Sequence, residues 1–203
     1  MTTDTLIETV LPDGTPIYTS YPFPEEAPPP AEPADRADRQ AALLDALEHR
    51  ILVLDGATGT AMQGLDLGPD DFGGPELEGC NENLVRTRPD AVAAVHDGYL
   101  AAGADVVETN TFGATPLVLA EYDLSELAFE VNRLAAEIAR AACRRFDTAG
   151  HATPDRPRFV CGSMGPTTKA ISVTGGVTFD ELIENFRIQA LGLMAGGADY
   201  LLL

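Results

Sequence analysis

From Ala34 onward, apolar positions alternate between a helical spacing and short unbroken runs. Ala41, Leu43, Leu44 and Leu47 recur at helical spacing and end at His49-Arg50, cations suited to a helix C-terminus. Ile51-Leu52-Val53-Leu54 then forms an apolar run stopped by Asp55-Gly56, the pattern of a buried strand. Pro89 opens a second helical pattern with Val92, Val95, Tyr99 and Leu100 on one face and Gly103 as its stop. Ala104–Glu108 reads as a second strand. Ser125 is placed to cap a long helix whose apolar face is Leu127, Val131, Leu134, Ile138 and Ala142. A polar link through Gly150 and Pro157 leads to a third strand, Phe159–Gly162. Thr178 and Glu181 have capping-box spacing before Ile183, Phe186, Ala190 and Leu193, and a fourth strand spans Asp199–Leu203.

This cadence predicts parallel β/α units. Ala101-Ala102-Gly103-Ala104-Asp105 also recurs as Ala195-Gly196-Gly197-Ala198-Asp199, so that in each copy a glycine ends a helix and an acid opens the next strand. An eightfold β/α barrel needs about 250 residues, and a four-stranded parallel sheet leaves two open edges. The expected fold is therefore the first four strands of such a barrel with their helices, over residues 34–203, present as a fragment. Residues 1–33 contrast with it. Tyr21–Pro33 is rich in proline and acid and predicts an extended, poorly ordered tail, with a peptide-ligand role as the alternative.

Charge narrows the function. Thirteen Lys and Arg stand against 32 Asp and Glu, a net charge of −19. That excludes a nucleic-acid binder and docking on anionic lipid, both of which need clustered cations. The three cysteines are too few for a disulfide scaffold. The start, Met1-Thr2-Thr3-Asp4, lacks a signal-peptide pattern, and no apolar run has membrane-spanning length. The expectation is a cytoplasmic globular protein.

Ligands of parallel β/α folds sit at the C-terminal ends of the strands. After the first strand comes Asp55-Gly56-Ala57-Thr58-Gly59-Thr60. There Gly56 and Gly59 permit positive φ and close backbone approach to a carboxylate or phosphate, and Asp55 suits an ammonium group. A plain tight turn explains the same residues. No Gly-Lys-Thr follows, so it is not a Walker loop. After the second strand, Glu108-Thr109-Asn110-Thr111-Phe112-Gly113 gathers donors and acceptors, with Asn110 the functional candidate and the threonines also readable as turn caps. Gly162-Ser163-Met164-Gly165-Pro166-Thr167 follows the third strand and admits either reading. Cys80, Cys143 and Cys161 show no metal-knuckle spacing. His49, His96 and His151 are scattered, and His96 reads as a surface or packing residue. No metal site is expected within the chain.

Asp55–Thr60, Asn83-Leu84 with Thr87–Asp90, and Ala102–Phe112 together resemble the homocysteine-binding domain of cobalamin-dependent methionine synthases. Gly165-Pro166-Thr167 and Gly196–Asp199 continue the resemblance in order, from about Ile51 to Leu203. It implies an eightfold β/α barrel in which homocysteine binds at the strand mouths. It also implies a zinc ion, held by three cysteines in the second half, that presents the sulfur as thiolate to a methyl group carried on cobalamin. Asp55 and the backbone at Gly56 and Ala57 would then meet the ammonium and carboxylate of homocysteine, with Asn110 near the pocket floor.

The chain departs from that pattern at the metal. The family's zinc cysteines have no counterpart here, and its amino-gripping acid follows the fourth strand, where the sequence ends. The resemblance therefore implies a methyltransferase module that is inactive alone and depends on the rest of the barrel and on folate- and cobalamin-binding modules, in cis or in trans. Two alternatives are a cobalamin-independent homocysteine methyltransferase of the betaine or S-methylmethionine type, and a non-catalytic half-barrel that pairs with a separate C-terminal chain.

Overall fold

The computed structural model describes residues 8–10, 16–18, 36–147, 156–171 and 176–203. Two short strands, β1 (Glu8–Val10) and β2 (Pro16–Tyr18), pair antiparallel, with Thr9 opposite Ile17. This hairpin falls within 1–33, for which the sequence predicts a tail. The proline-rich stretch 21–33 and Gly150 of the polar link lie outside the described residues.

The main body runs α1 (Arg36–His49), α2 (Thr58–Gln63), α3 (Pro69–Phe72), α4 (Leu84–Thr87), α5 (Pro89–Ala102), β3 (Val106–Glu108), α6 (Pro116–Leu119), α7 (Ala128–Phe146), β4 (Phe159–Ser163), α8 (Phe179–Gly196) and β5 (Tyr200–Leu202). The sheet order is β3-β4-β5, all parallel, with Val106 opposite Phe159 and Cys161 opposite Tyr200. The expected first strand is reduced to a single parallel bridge, Leu54 to Val106. The 51–54 segment still runs beside β3, since Val53 O accepts the Asp105 and Val106 amides and the Asp55 amide donates to Val106 O. Its side chains are not buried as the apolar run predicts: Ile51 is 90% and Val53 52% exposed. The segment is a sheet edge with one neighbour, so among the described residues nothing covers its outer side.

Alternation along the strands makes two apolar layers. Val107 and Val160 face the helices and pack with Leu100, Ala136, Ala139 and Leu193. Val106, Phe159 and Cys161 face the other way, where Leu43 and Ala46 of α1 cover them together with Leu52 and Tyr200. The long helix begins at Ala128, after a 3-10 turn over Ser125–Leu127, so Ser125 does not cap it. Its expected face packs, with Val131 and Ala142 fully buried and Leu127, Leu134 and Ile138 partly buried, while the side toward α8 is alanine-rich because the two helices lie so close. A Cβ on Gly192 would sit 2.6 Å from Phe129 O, and one on Gly196 2.2 Å from Arg133 O. By contrast, the capping box of α8 forms as expected: the Glu181 amide donates to Thr178 Oγ1 at 3.2 Å and the Thr178 amide to Glu181 Oε2 at 2.6 Å.

The repeated motif is a structural device at the strands' N-terminal ends. Gly103 and Gly197 adopt φ of 106° and 97° and end α5 and α8 in the left-handed region, where glycine is favoured. The next acid then bonds the neighbouring strand twice. Asp105 N donates to Val53 O at 2.8 Å, and its carboxylate accepts the Val53 amide at 3.0 Å. Asp199 repeats this on Val160, at 2.8 Å in both directions. Arginines finish each carboxylate: Arg50, Arg156 and Arg158 at Asp105, and Arg39 and Arg140 at Asp199. Burial pushes the Asp105 carboxyl up, but the Val53 amide, Arg156 and Arg50 outweigh it and hold the group below its ordinary range.

Candidate functional site at the strand mouths

At the opposite ends of the strands, the loops after 51–54, β3 and β4 surround a cavity of about 300 Å³. Gly56, Ala57 and Asn110 line it, and so do Asn81, Glu82, Glu108, Phe112 and Ser163. Asp55 does not. It borders an adjoining open groove of about 440 Å³, shared with Gly56 and Ala57 and walled by Val53, Leu54, Tyr99, Ala102 and Ala104. Three of the four sequence candidates therefore meet at one cavity, and the fourth stands behind the shared turn.

That turn is built differently from the expectation. The left-handed residue is Ala57 (φ 51°), whereas neither Gly56 nor Gly59 has positive φ. A Cβ on Gly56 would have nothing within 4 Å, so no neighbour in the fold requires the glycine. Asp55 Oδ1 accepts the Glu108 amide at 2.8 Å, while Oδ2 is buried without a hydrogen-bond partner among the described residues. Burial raises the Asp55 carboxyl to about 7. The Glu108 amide lowers it and the Glu108 carboxylate raises it.

The loop after β3 divides its polar groups between structure and site. Thr109 and Thr111 are buried, with hydroxyls 2.6 Å apart. The Ser163 amide donates to Thr109 Oγ1 at 3.0 Å, and Thr111 Oγ1 donates to Ser163 O at 2.7 Å. They tie β3 to β4, the turn-capping role. Asn110 donates through Nδ2 to Asn81 O at 2.7 Å, which fixes its amide against the 78–83 loop while it lines the cavity. Glu82, which the sequence reading did not single out, accepts the Gly113 amide at 2.8 Å and closes the same wall. Glu108 accepts from Ser163 Oγ at 3.0 Å. Gly165 is needed for packing, because a Cβ there would lie 2.6 Å from Phe112 O. Glu82 could have been found only by pairing loops that lie about thirty residues apart in sequence.

The lining includes two carboxylates, Glu82 and Glu108, and no Lys or Arg. A cavity of that sign suits a cationic group such as an ammonium. A zinc ion finds no counterpart here. Among the described residues no three His, Cys, Asp or Glu side chains gather as a metal site. The cysteines are buried in three separate places, and burial pushes their thiols up, Cys80 to about 11 and Cys143 and Cys161 to about 12. His96 is fully buried with neither ring nitrogen bonded among the described residues, and burial lowers it to about 4. His151 lies outside the described residues. None of the described helices is long and apolar enough to cross a membrane.

The homocysteine S-methyltransferase family profile matches residues 52–203. The chain belongs to the homocysteine S-methyltransferase family. A methionine synthase from Mycobacterium tuberculosis is 44% identical over 169 residues, which cover 83% of this chain and 14% of the relative. The homocysteine methyltransferase MmuM from Escherichia coli shares the fold. Its oxidized form superposes with a TM-score of 0.63 at 24% identity, over 79% of this chain and 55% of that one. Its metallated form gives 0.62 at 23% identity, over 56% of that chain. This homocysteine methyltransferase homologue thus spans about half the length of those structures and a seventh of the methionine synthase. Its open three-stranded parallel sheet with helices corresponds to part of their barrel.

Proposed function

We propose that this chain supplies the amino-acid end of a homocysteine site in a methionine synthase-type methyltransferase. The carrying observation is the strand-mouth cavity, where Gly56, Ala57 and Asn110 converge and every ionisable lining group is a carboxylate. In this reading the homocysteine ammonium lies against the Glu108 carboxylate, and Asp55, behind the shared turn, holds the Glu108 amide and adds its negative field. The backbone amides of Gly56 and Ala57 face its carboxylate, and Asn110 holds the 78–83 wall in place. The 44% identity to a methionine synthase favours a methyl donor carried on cobalamin over a betaine- or S-methylmethionine-type donor. The described residues do not fit the family's zinc, so the chain by itself binds the amino acid and does not methylate it.

Isothermal titration tests this. L-Homocysteine binds, and 4-mercaptobutyrate, which keeps the thiol and carboxylate but lacks the ammonium, binds at least tenfold more weakly. Asp55→Ala weakens homocysteine by a similar factor and leaves the analogue unchanged. Equal affinity for both ligands would refute the carboxylate–ammonium assignment.

A further inference from the structure

The junction between β3 and β4 lies inside the sheet, with 51–54 beyond β3 and β5 beyond β4. At its mouth end Ser163, the last residue of β4, meets β3 and the loop after it with all three of its polar groups. Its amide donates to Thr109 Oγ1 at 3.0 Å, and its carbonyl accepts from Thr111 Oγ1 at 2.7 Å. Its hydroxyl donates to Glu108 Oε2 at 3.0 Å. The first two bonds use backbone atoms and persist with another side chain at this position. The third belongs to the serine side chain alone, and it reaches a carboxylate that lines the cavity.

The direction of these bonds can be worked out, because a hydroxyl has one proton to give. Thr111 gives its proton to Ser163 O, so in the 2.6 Å pair of threonine hydroxyls Thr109 is the donor and Thr111 the acceptor. Thr109, Thr111 and Ser163 thus send every hydroxyl proton of this wall into the protein. What is left for a ligand is an acceptor: Glu108 lines the cavity, and its Oε1 takes no hydrogen bond among the described residues. Such a wall receives a donor-only group such as ammonium and has no hydroxyl proton to offer a carboxylate.

We propose that Ser163 is a positioning residue: its hydroxyl holds one oxygen of Glu108 so that the other is free to meet the ammonium of an amino-acid ligand. This rests on the homocysteine reading of the cavity and adds to it a residue that acts through another. Glu108 is then held at both ends, its amide by Asp55 Oδ1 at 2.8 Å and its carboxylate by Ser163. A glutamate side chain that is free to rotate loses that freedom when it binds a cation, and the loss weakens binding. Ser163 fixes the carboxylate beforehand, and a hydrogen bond to an ionised acceptor is among the stronger ones available for the purpose.

Ser163→Ala deletes the hydroxyl and keeps both backbone bonds to Thr109 and Thr111, so far-ultraviolet circular dichroism should be unchanged. In isothermal titration the variant should bind L-homocysteine about fivefold more weakly than the native chain, the order of one hydrogen bond's net contribution. It should bind 4-mercaptobutyrate, which lacks the ammonium, as the native chain does, whereas a packing role for the serine would weaken both ligands alike. Glu108→Gln should remove the serine's influence, so that adding Ser163→Ala to it changes homocysteine affinity by less than about twofold. Unchanged homocysteine affinity in Ser163→Ala, an equal loss for both ligands, or losses that add in the double variant would each overturn the proposal. The cavity reading survives those outcomes as long as the native chain prefers homocysteine. A native chain that binds the two ligands equally, or binds neither, overturns both.

Discussion

The two ends of the strands handle buried charge in opposite ways. At the N-terminal ends, Asp105 and Asp199 are each about 1% exposed at the side chain and meet two or three arginines and a backbone amide. At the C-terminal ends, Asp55 and Glu108 meet an amide, a serine hydroxyl and each other's field. At the first end each carboxylate is neutralised by arginines and holds the fold together. The second is left with surplus negative charge and an unbonded carboxylate oxygen, a state that costs stability and suits an incoming cation.

Removing a carboxylate at each end should break the symmetry of that comparison. Asp199→Ala takes the counter-charge from buried Arg140 and the acceptor from the Val160 amide. It should cost about 3–5 kcal/mol in urea unfolding. His96, between the two ends on α5, gives a smaller effect set by pH. Its pKa is 6.5 unfolded and about 4 folded, so its share of stability is intact above 6.5 and drains as pH falls toward 4, by about 1.4 kcal/mol per pH unit. His96→Met should flatten that acid limb in a pH series of denaturation midpoints.

Asp55 sharpens the contrast with the opposite slope. Its carboxyl rises from 3.8 to about 7 on folding, so the folded chain holds the extra proton between those values and loses stability as pH climbs through them. Asp55→Asn should match the native chain below pH 3.8 and melt a few degrees higher above pH 7, while losing homocysteine affinity. At the small end of the scale, the exposed Arg187–Glu184 pair on α8 touches neither end. Glu184→Gln should move the unfolding free energy by no more than about 0.5 kcal/mol.

Period and punctuation carried most of the architecture. Pro89, Gly103, Thr178, Glu181 and Gly197 bound helices where the sequence places them, because each acts through its own backbone chemistry. The misreadings share a cause in tertiary partners. Ile51–Leu54 has the apolar run of a buried strand, but burial needs a neighbour on each side. On α7 the expected face packs, but the alanine side against α8 was not read, because Gly192 and Gly196, about sixty residues away, bring the two backbones together. At the mouth, Gly56, Ala57 and Asn110 were legible from strand-end position and from the family resemblance. Glu82 was not, since its role exists only once Gly113 is folded against it. The left-handed position fell on Ala57 rather than a glycine because the turn before α2 selects a place in the chain, not a residue type.

The paired aspartates also guard against strand slippage. Ile51-Leu52-Val53-Leu54 and Leu201-Leu202-Leu203 are runs of nearly interchangeable side chains, so a shift by one residue would trade one aliphatic contact for another at little cost. A carboxylate that accepts one particular amide, Val53 for Asp105 and Val160 for Asp199, makes such a shift costly. After one step it would face a carbonyl instead of an N–H, with its arginines still in place. Two charged side chains thus proofread an alignment that the greasy strands could not choose for themselves.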